Sequence, residues 1–171
     1  LVNLASTGTA NRSFEASMFT NGSHNWTVNC TDDARGTTSG GTRFFIVDLA
    51  PPVVVLDAPA NNSIYNHTSG ELNFTWNVTD INTTVLCNLS ITNGTGNFKN
   101  VSKQSTTNIS FTNHSFTSSM FTNESHTWSV VCTDSAENVG NSSVFNFTVD
   151  QQFPNLVLTA PANNTFYNHT S

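Results

Sequence analysis

The sequence LNFTWNVT, residues 72–79, alternates apolar and polar side chains at every step. Leu72, Phe74, Trp76 and Val78 therefore share one face of an extended strand, and the asparagines and threonines between them share the other. This pattern predicts a half-buried β-strand. The same period of two recurs wherever the chain is not turn-like, and nowhere do apolar residues keep helical spacing over three turns.

Five further strands are predicted from the same alternation. Their inward-facing residues are Val85, Cys87, Leu89 and Ile91; Ile109 and Phe111; Trp128, Val130 and Cys132; Phe145, Phe147 and Val149; and Trp26, Val28 and Cys30. Turn-forming clusters at residues 92–97 and 133–140 separate some of them. About seven short strands per hundred residues predict an all-β, two-sheet antiparallel sandwich. A five-stranded barrel fits less well because the predicted joint between modules is so short.

The chain repeats itself at an offset of 102 residues without a gap. Residues 1–69 and 103–171 are identical at 32 of 69 positions. This identity indicates homologous modules of one array, and such arrays more often serve reach and repetition than chemistry. The predicted domains are the C-terminal half of one module at residues 1–52, a complete module at 53–154, and the first strand region of the next at 155–171.

The predicted joint between modules is short and contains proline. Residues 47–52 and their copy at 149–154 leave few residues between the last strand of one module and the first of the next. Because proline restricts the backbone dihedrals, we expect a stiff rod. Residues 1–52 alone should leave Trp26 and Phe19 uncovered, so a longer polypeptide or a neighbouring subunit is expected to supply the missing strands, as in donor-strand complementation.

The three cysteines are interpretable through the repeat. Cys87 and Cys132 lie in the complete module, 45 residues apart, and are predicted to form its disulfide. Cys30 is the copy of Cys132, so its partner would lie outside the segment. The alternative, buried free thiols in a cytosolic protein, is less favoured.

Asparagine dominates the polar surface. Charged residues make up 9% of the chain, against roughly 25% in an ordinary soluble domain. Of 25 asparagines, 19 begin an Asn-x-Ser/Thr sequon, nearly three times the random expectation. They are predicted N-glycosylation sites. These residues are Asn11, Asn21, Asn25, Asn29, Asn61, Asn66, Asn73, Asn77, Asn82, Asn88, Asn93, Asn100, Asn108, Asn113, Asn123, Asn141, Asn146, Asn163 and Asn168.

Strand geometry explains how a sequon can build the core and display an acceptor at once. In Asn73-Phe74-Thr75 the asparagine and threonine point outward while Phe74 points inward. Residues 1–69 carry six sequons and residues 103–171 carry seven, but only four positions are shared. The positions of the sequons differ between the two copies while their number stays similar. This favours a requirement for glycan coverage of the surface over a requirement for one particular glycan. The alternative is that Asn, Ser and Thr are merely polar filler.

Several other classes of site are disfavoured. A net charge of −6 with five basic residues argues against nucleic acid, and no apolar run is long enough to span a bilayer. Histidine spacing does not suggest zinc. Aspartates at strand ends could bind calcium between modules, but Asx turns are the favoured role. The histidines are His24, His67, His114, His126 and His169, and the aspartates are Asp32, Asp80, Asp134 and Asp150. With no catalytic motif, neither enzymatic activity nor a cofactor is expected.

Residues 128–138, WSVVCTDSAEN, resemble the tandem immunoglobulin-like repeats of archaeal and some bacterial surface proteins. Those repeats typically read Trp-x-Val-x-Cys-Thr-Asp-Ser-Ala-Gly-Asn and are preceded by a strand like residues 73–80. Here Glu137 replaces the usual glycine, and residues 32–36 depart further, which leaves the turn type open. The resemblance implies a sandwich, an extracellular location and a role in surface layers, stalks or filaments.

Two arrangements of the disulfide are open within such a sandwich. If residues 71–80 form the second strand, Cys87 and Cys132 lie on neighbouring strands of one sheet, which is the favoured arrangement. If that stretch is an earlier strand, the bridge crosses between sheets.

The predicted function is structural: a filament, stalk or surface layer whose partners are adjacent copies of the module, joined through the chain or by strand exchange. The alternative is an adhesin that binds a surface sugar or protein through its turn loops. A third possibility is an accessory region of a carbohydrate-active enzyme.

Overall fold

The structure is a computed structural model that describes residues 12–66, 70–93, 96–108 and 111–168. Its strands are β1 (Gly22–Thr31), β2 (Thr37–Val47), β3 (Val53–Ala58), β4 (Ser63–Tyr65), β5 (Glu71–Thr79), β6 (Thr84–Asn93), β7 (Gly96–Thr106), β8 (Thr112–Thr117), β9 (Ser125–Thr133), β10 (Val139–Asn141) and β11 (Phe145–Val149). Single 3-10 turns occupy Ala16–Met18 and Ser118–Met120.

Strands β3 to β11 form a sandwich of two sheets. The larger sheet has the order β4-β11-β9-β6-β7, with β10 also paired to β9, and the smaller sheet has the order β3-β5-β8. Neighbouring strands are antiparallel except for β4 and β11, which run parallel. Apolar residues from both sheets meet in one buried cluster. The predicted all-β sandwich is therefore confirmed.

The alternation in the sequence sets which side chains enter this core. Along β5, Leu72, Phe74, Trp76 and Val78 are all buried, as predicted. The predicted inward residues of β6 and β9 are buried as well, and in β11 both Phe147 and Val149 are buried while Phe145 packs at the edge of the cluster. Phe74 lies at the centre, with its ring edge-to-face to Trp128 at 5.3 Å.

One predicted strand is wrong in its position. Ile109 lies outside the described residues, and Phe111 precedes β8 and is exposed. Asn108 has a positive φ of 64°, so the chain turns there before the strand begins at Thr112. The inward-facing residue of β8 is Phe116, which lies opposite Leu72 of β5.

Strands β1 and β2 form a separate two-stranded hairpin that runs from Gly22 opposite Val47 to Thr31 opposite Thr37, with a register shift between Thr27 and Asn29. Its apolar face, predicted to point inward, is exposed at Trp26, Val28 and Cys30. The reason is that none of the described residues forms a second sheet over this face.

Both copies of the module build the same turn despite different sequences. Arg35 and Glu137 occupy equivalent positions and have φ values of 67° and 69°. The backbone N–H of Asp32 donates to the carbonyl of Gly36 at 2.9 Å, and the N–H of Asp134 donates to that of Asn138 at 3.1 Å. The aspartate side chains accept from the same two positions, at 2.7 and 2.9 Å. The carboxylate holds the turn, so glycine is not required there.

The joint after each hairpin is also built twice in the same way. The backbone N–H groups of Leu49 and Gln151 donate to Asn21 Oδ1 and Asn123 Oδ1, at 2.8 and 2.7 Å. Two residues of each joint are further linked by an Asx turn, in which Asp48 accepts from Ala50 and Asp150 accepts from Gln152. These repeated contacts restrict the chain at residues 48–50 and 150–152.

Candidate functional site

The asparagines of the sequons lie on the outside of the fold. Among the described residues none of these asparagines is buried, three are half-buried, and the others are exposed. The half-buried ones are Asn77, Asn82 and Asn93. Asn11 lies outside the described residues. Most of the predicted acceptors are therefore within reach of solvent, as a bulky modification would require.

The outer face of the smaller sheet carries three acceptors. Asn73 and Asn77 lie four residues apart on the outward side of β5, and Asn113 lies on β8 opposite Thr75. Ser115 donates a hydrogen bond to Asn73 Oδ1 across the two strands. Phe74, the middle residue of the sequon at Asn73, is buried while Asn73 is exposed, which confirms the predicted inward and outward directions of these side chains.

The outer face of the larger sheet carries four more. Asn88 on β6 lies opposite Ser102 of β7, whose hydroxyl donates to Asn88 Oδ1 at 3.3 Å. Asn100 on β7, Asn141 on β10 and Asn146 on β11 are also exposed. Both outer faces of the sandwich therefore present the asparagines of predicted sequons.

Two sequon asparagines, Asn82 and Asn108, already donate hydrogen bonds within the fold through their amide nitrogens. Asn82 Nδ2 donates to Asp48 Oδ2 at 2.5 Å and to Asp80 Oδ1 at 2.8 Å, and Asn82 Oδ1 accepts from Ser135 Oγ at 2.6 Å. Asn108 Nδ2 donates to the carbonyl of Asp80 at 2.5 Å. Because glycosylation attaches the sugar to this nitrogen, these side chains would have to leave their hydrogen bonds to react.

A third amide nitrogen is engaged at the edge of the larger sheet. Asn93 Nδ2 donates to Glu124 Oε1 at 3.0 Å. The hydroxyl of Thr122 is the main cause that lowers the pKa of Glu124, and the amide of Asn93 lowers it further. The charged carboxylate is thus the form that holds Asn93.

Other sequon asparagines use only their oxygen in the hydrogen bonds described. Asn21 and Asn123 accept from the joints through Oδ1, and Asn61 Oδ1 accepts from the backbone N–H of Asn146 at 2.8 Å. Their structural role is compatible with a sugar on Nδ2. This distinction between oxygen and nitrogen could not be found from a three-residue motif.

The disulfide forms as predicted, in the favoured arrangement. Cys87 of β6 and Cys132 of β9 are bonded and lie directly opposite each other in one sheet, with a Cα–Cα distance of 4.0 Å. Cys30 is a free, exposed thiol. Sequence reasoning from the repeat therefore identified both partners.

The strand-end aspartates act as Asx-turn acceptors, the favoured prediction. Asp32, Asp80, Asp134 and Asp150 each accept a backbone N–H two or four residues further on. Asp48, which the sequence analysis did not include among these aspartates, lies close to Asp80 and Asp134.

Within the described residues, one group of side chains has the composition of a cation site. Asp48, Asp80 and Asp134 each place a carboxylate oxygen within 4.8 Å of the others. Calcium usually takes six to eight oxygen ligands. Here the amides of Asn82 and Asn138 donate to the same carboxylates, so hydrogen bonds already occupy part of this group.

The environment of Asp134 favours its charged form. Burial by itself would raise the pKa of this carboxyl, but the side-chain and backbone N–H groups of Asn138 and the backbone N–H of Ala136 lower it below its usual value. Hydrogen bonds to the ionised form thus outweigh desolvation.

His126 and its copy His24 stack on aromatic rings, and two of the three tryptophans lie in the core. His126 is buried and stacks on Phe147 at 5.2 Å, and its copy His24 stacks on Phe45 at 5.3 Å. Trp76 and Trp128 are buried, as expected. The indole of Trp76 donates to Ser105 Oγ at 3.1 Å, a partner that the sequence did not indicate.

Comparison with known proteins yields similarity to solved structures alone. No protein-family model matches the chain, and no curated protein matches it. A chain from the fibronectin(III)-like modules of Clostridium thermocellum CbhA is similar, with a TM-score of 0.38 and 13% identity, covering 87% of this chain and 69% of that chain. Over the described part of the chain, the structure contains no helix of the length and apolar character needed to cross a membrane.

Proposed function

We propose that this chain is a structural segment of an extracellular filament, stalk or surface layer. In this proposal, stiffly linked immunoglobulin-like modules carry a dense coat of N-glycans, and the coat replaces surface charge as the solubilising layer. The observation that carries the proposal is the placement of acceptor asparagines on both outer faces of the sandwich, with the core residues between them.

The disulfide supports the location. The bridge between Cys87 and Cys132 belongs to an oxidising compartment, where such bonds form and persist. N-glycosylation also belongs to surface and secreted proteins. Two independent features of the chain thus favour the outside of the cell.

The joint supports stiffness. Asp48 at the end of the hairpin accepts from Asn82 of the sandwich at 2.5 Å, and its backbone carbonyl accepts from Asn138 Nδ2 at 3.2 Å. Pro52 is buried against Gly140 of β10. These contacts on two sides of the joint oppose bending, as a rod requires.

The test is the mass of the protein isolated from its own cells, before and after chemical removal of glycans, followed by glycopeptide mapping. We expect a large mass loss and occupied sites on both outer faces, including Asn73, Asn88 and Asn146. We expect the engaged asparagines, Asn82 and Asn108, to remain unmodified. A mass equal to that of the bare polypeptide would contradict the proposed coat.

A further inference from the structure

The apolar face of the β1–β2 hairpin is exposed where its copy in the sandwich is buried. Trp26 and Val28 are 50% and 51% exposed, whereas their equivalents Trp128 and Val130 are 1% and 0% exposed. The residues are identical in type, so the difference lies in what covers them. In the sandwich, β3 and β4 belong to the cover: β3 packs against β9, and β4 pairs with β11.

Residues 155–168 are the repeat of that cover, and they are exposed as well. The apolar side chains Leu156, Leu158 and Tyr167 all face solvent. They align with Val54 and Leu56 of β3, which are buried, and with Tyr65 of β4, which packs against the core. The chain therefore presents an uncovered face and an undocked segment whose equivalents bind each other within one module.

The undocked segment has the local conformation of its docked copy. Asn62 and Asn164 both have a φ of 61°. The backbone N–H of Ser63 donates to the carbonyl of Ala60 at 3.1 Å, and that of Thr165 donates to the carbonyl of Ala162 at 3.3 Å. Their hydroxyls donate to the same carbonyls at 2.6 and 2.7 Å. A segment already turned in this way loses less conformational freedom on binding.

The docked copy defines how the segment would bind. In the sandwich, Phe147, Thr148 and Val149 lie opposite Ser63, Ile64 and Tyr65 in a parallel pair. The indole of Trp128 donates to the carbonyl of Pro59 at 3.3 Å. The ring of Tyr65 lies edge-to-face to Phe147 at 6.4 Å.

Each of these groups has a counterpart in the hairpin or in the segment. Trp26 and Pro161 repeat the indole-to-carbonyl pair, and Phe45 and Tyr167 repeat the aromatic pair. The hairpin and the segment therefore contain equivalents of the paired backbone residues and of the side chains that pack beside them.

We propose that the β1–β2 hairpin of one copy binds residues 155–167 of a second copy of this chain. Phe45, Ile46 and Val47 pair in parallel with Thr165, Phe166 and Tyr167, and Leu156 and Leu158 cover the tryptophan face. The hairpin and the segment are different surfaces of the described residues, so the contact is head-to-tail and extends into a filament. This inference rests on the proposed function as an array of modules.

The test is a disulfide cross-link in the 171-residue chain, made without glycans and with Cys30→Ser as background. The pair Ile46→Cys with Phe166→Cys places two thiols opposite each other in the proposed register. We expect oxidation to convert monomer into a ladder of dimers, trimers and longer chains. The matched control, Ile46→Cys with Thr165→Cys, is one residue out of register and should stay largely monomeric.

A ladder of equal yield from both pairs would overturn the proposal, and so would cross-linking confined to single chains. Tryptophan emission gives a second measurement that needs no cysteine. Trp76 and Trp128 are already buried, so a blue shift on adding a synthetic peptide of residues 153–168 reports on Trp26. No shift with this peptide, or the same shift with a peptide carrying Leu156→Ser and Leu158→Ser, would overturn it.

The two proposals fail separately. The cross-link and the peptide assay use unglycosylated protein, so they can succeed when the glycan mass is absent. Conversely, a full glycan mass with no ladder would leave the coat intact and remove strand exchange between copies.

Discussion

A β-carbon added to Gly140 would lie 1.8 Å from the carbonyl oxygen of Pro52, so strand β10 and the joint are in backbone contact. The obstructing atom belongs to the backbone and cannot rotate away. We expect Gly140→Ala to displace the joint and to lower the free energy of unfolding by about 1–3 kcal/mol, the usual cost of overpacking. Urea unfolding measures this loss.

Gly40→Ala is the matched control for that substitution. Its added β-carbon would meet the carbonyl of Val28 at 3.4 Å, an ordinary contact. We expect little change in stability. Equal stability of Gly140→Ala and the parent protein would mean that the joint does not rest on β10.

The disulfide should contribute a large share of the stability of the sandwich. Cys87 and Cys132 are 45 residues apart, and closing a loop of that length stabilises the fold by roughly 4 kcal/mol in the chain-entropy model. Reduction should therefore move the urea midpoint strongly downward. Cys30→Ser should leave the midpoint unchanged, and an unaltered midpoint after complete reduction would contradict this expectation.

The buried hydrogen bond from Trp76 to Ser105 should be costly to break on one side only. Ser105→Ala leaves the indole N–H buried without this acceptor, which costs about 1–3 kcal/mol. Adding Trp76→Phe removes the unsatisfied donor, so a double-mutant cycle should show coupling between the two sites. Ser102→Ala, at an exposed position on the same strand, is the control. Additive effects in the cycle would exclude the hydrogen bond as the cause.

Asn82 should matter as a structural residue and not as a glycan acceptor. Asn82→Ala removes the amide that links Asp48, Asp80 and Ser135, and we expect a loss of about 1 kcal/mol or more. Thr84→Ala destroys the same sequon without touching that amide. Thermal unfolding should separate the two variants, and equal effects would refute the assignment.

Acid should weaken the turn that Asp134 holds. Its pKa is lowered in the folded protein, so its contribution to stability is present above the usual carboxyl pKa. That contribution is lost as the pH falls through the lowered pKa, which places the loss below about pH 4. Asp134→Asn should be less stable than the parent at pH 7, and the gap should narrow towards pH 2. Unfolding measured at both pH values tests this, and a gap of constant size would contradict it.

The faces of the strands were predictable because burial follows a period of two. Phe74 and Trp76 enter the core while Asn73 remains outside, as the alternation indicated. The repeat added the pairing of Cys87 with Cys132. Both signals are carried by residue type and spacing alone.

The contacts between distant turns were not predictable from the sequence. Asp48 meets Asn82 across 34 residues, and neither the motif nor the repeat records that approach. The contact of Pro52 with Gly140 is also hidden, because Thr38 occupies the glycine position in the hairpin copy. Such contacts depend on how the sheets stack, so a three-residue sequon such as the one at Asn82 cannot reveal a second role.

The parallel pairing of β4 with β11 has a mechanical consequence. β4 lies near the start of residues 53–154 and β11 lies near their end, so tension along the proposed array would pull the two strands past each other. The hydrogen bonds from Asn62 to Asn146 and from Asp150 to Tyr65, 2.7 and 2.9 Å long, would then be loaded together in shear and would not open one at a time. We expect single-molecule force measurements to find that the sandwich unfolds in one abrupt step at high force.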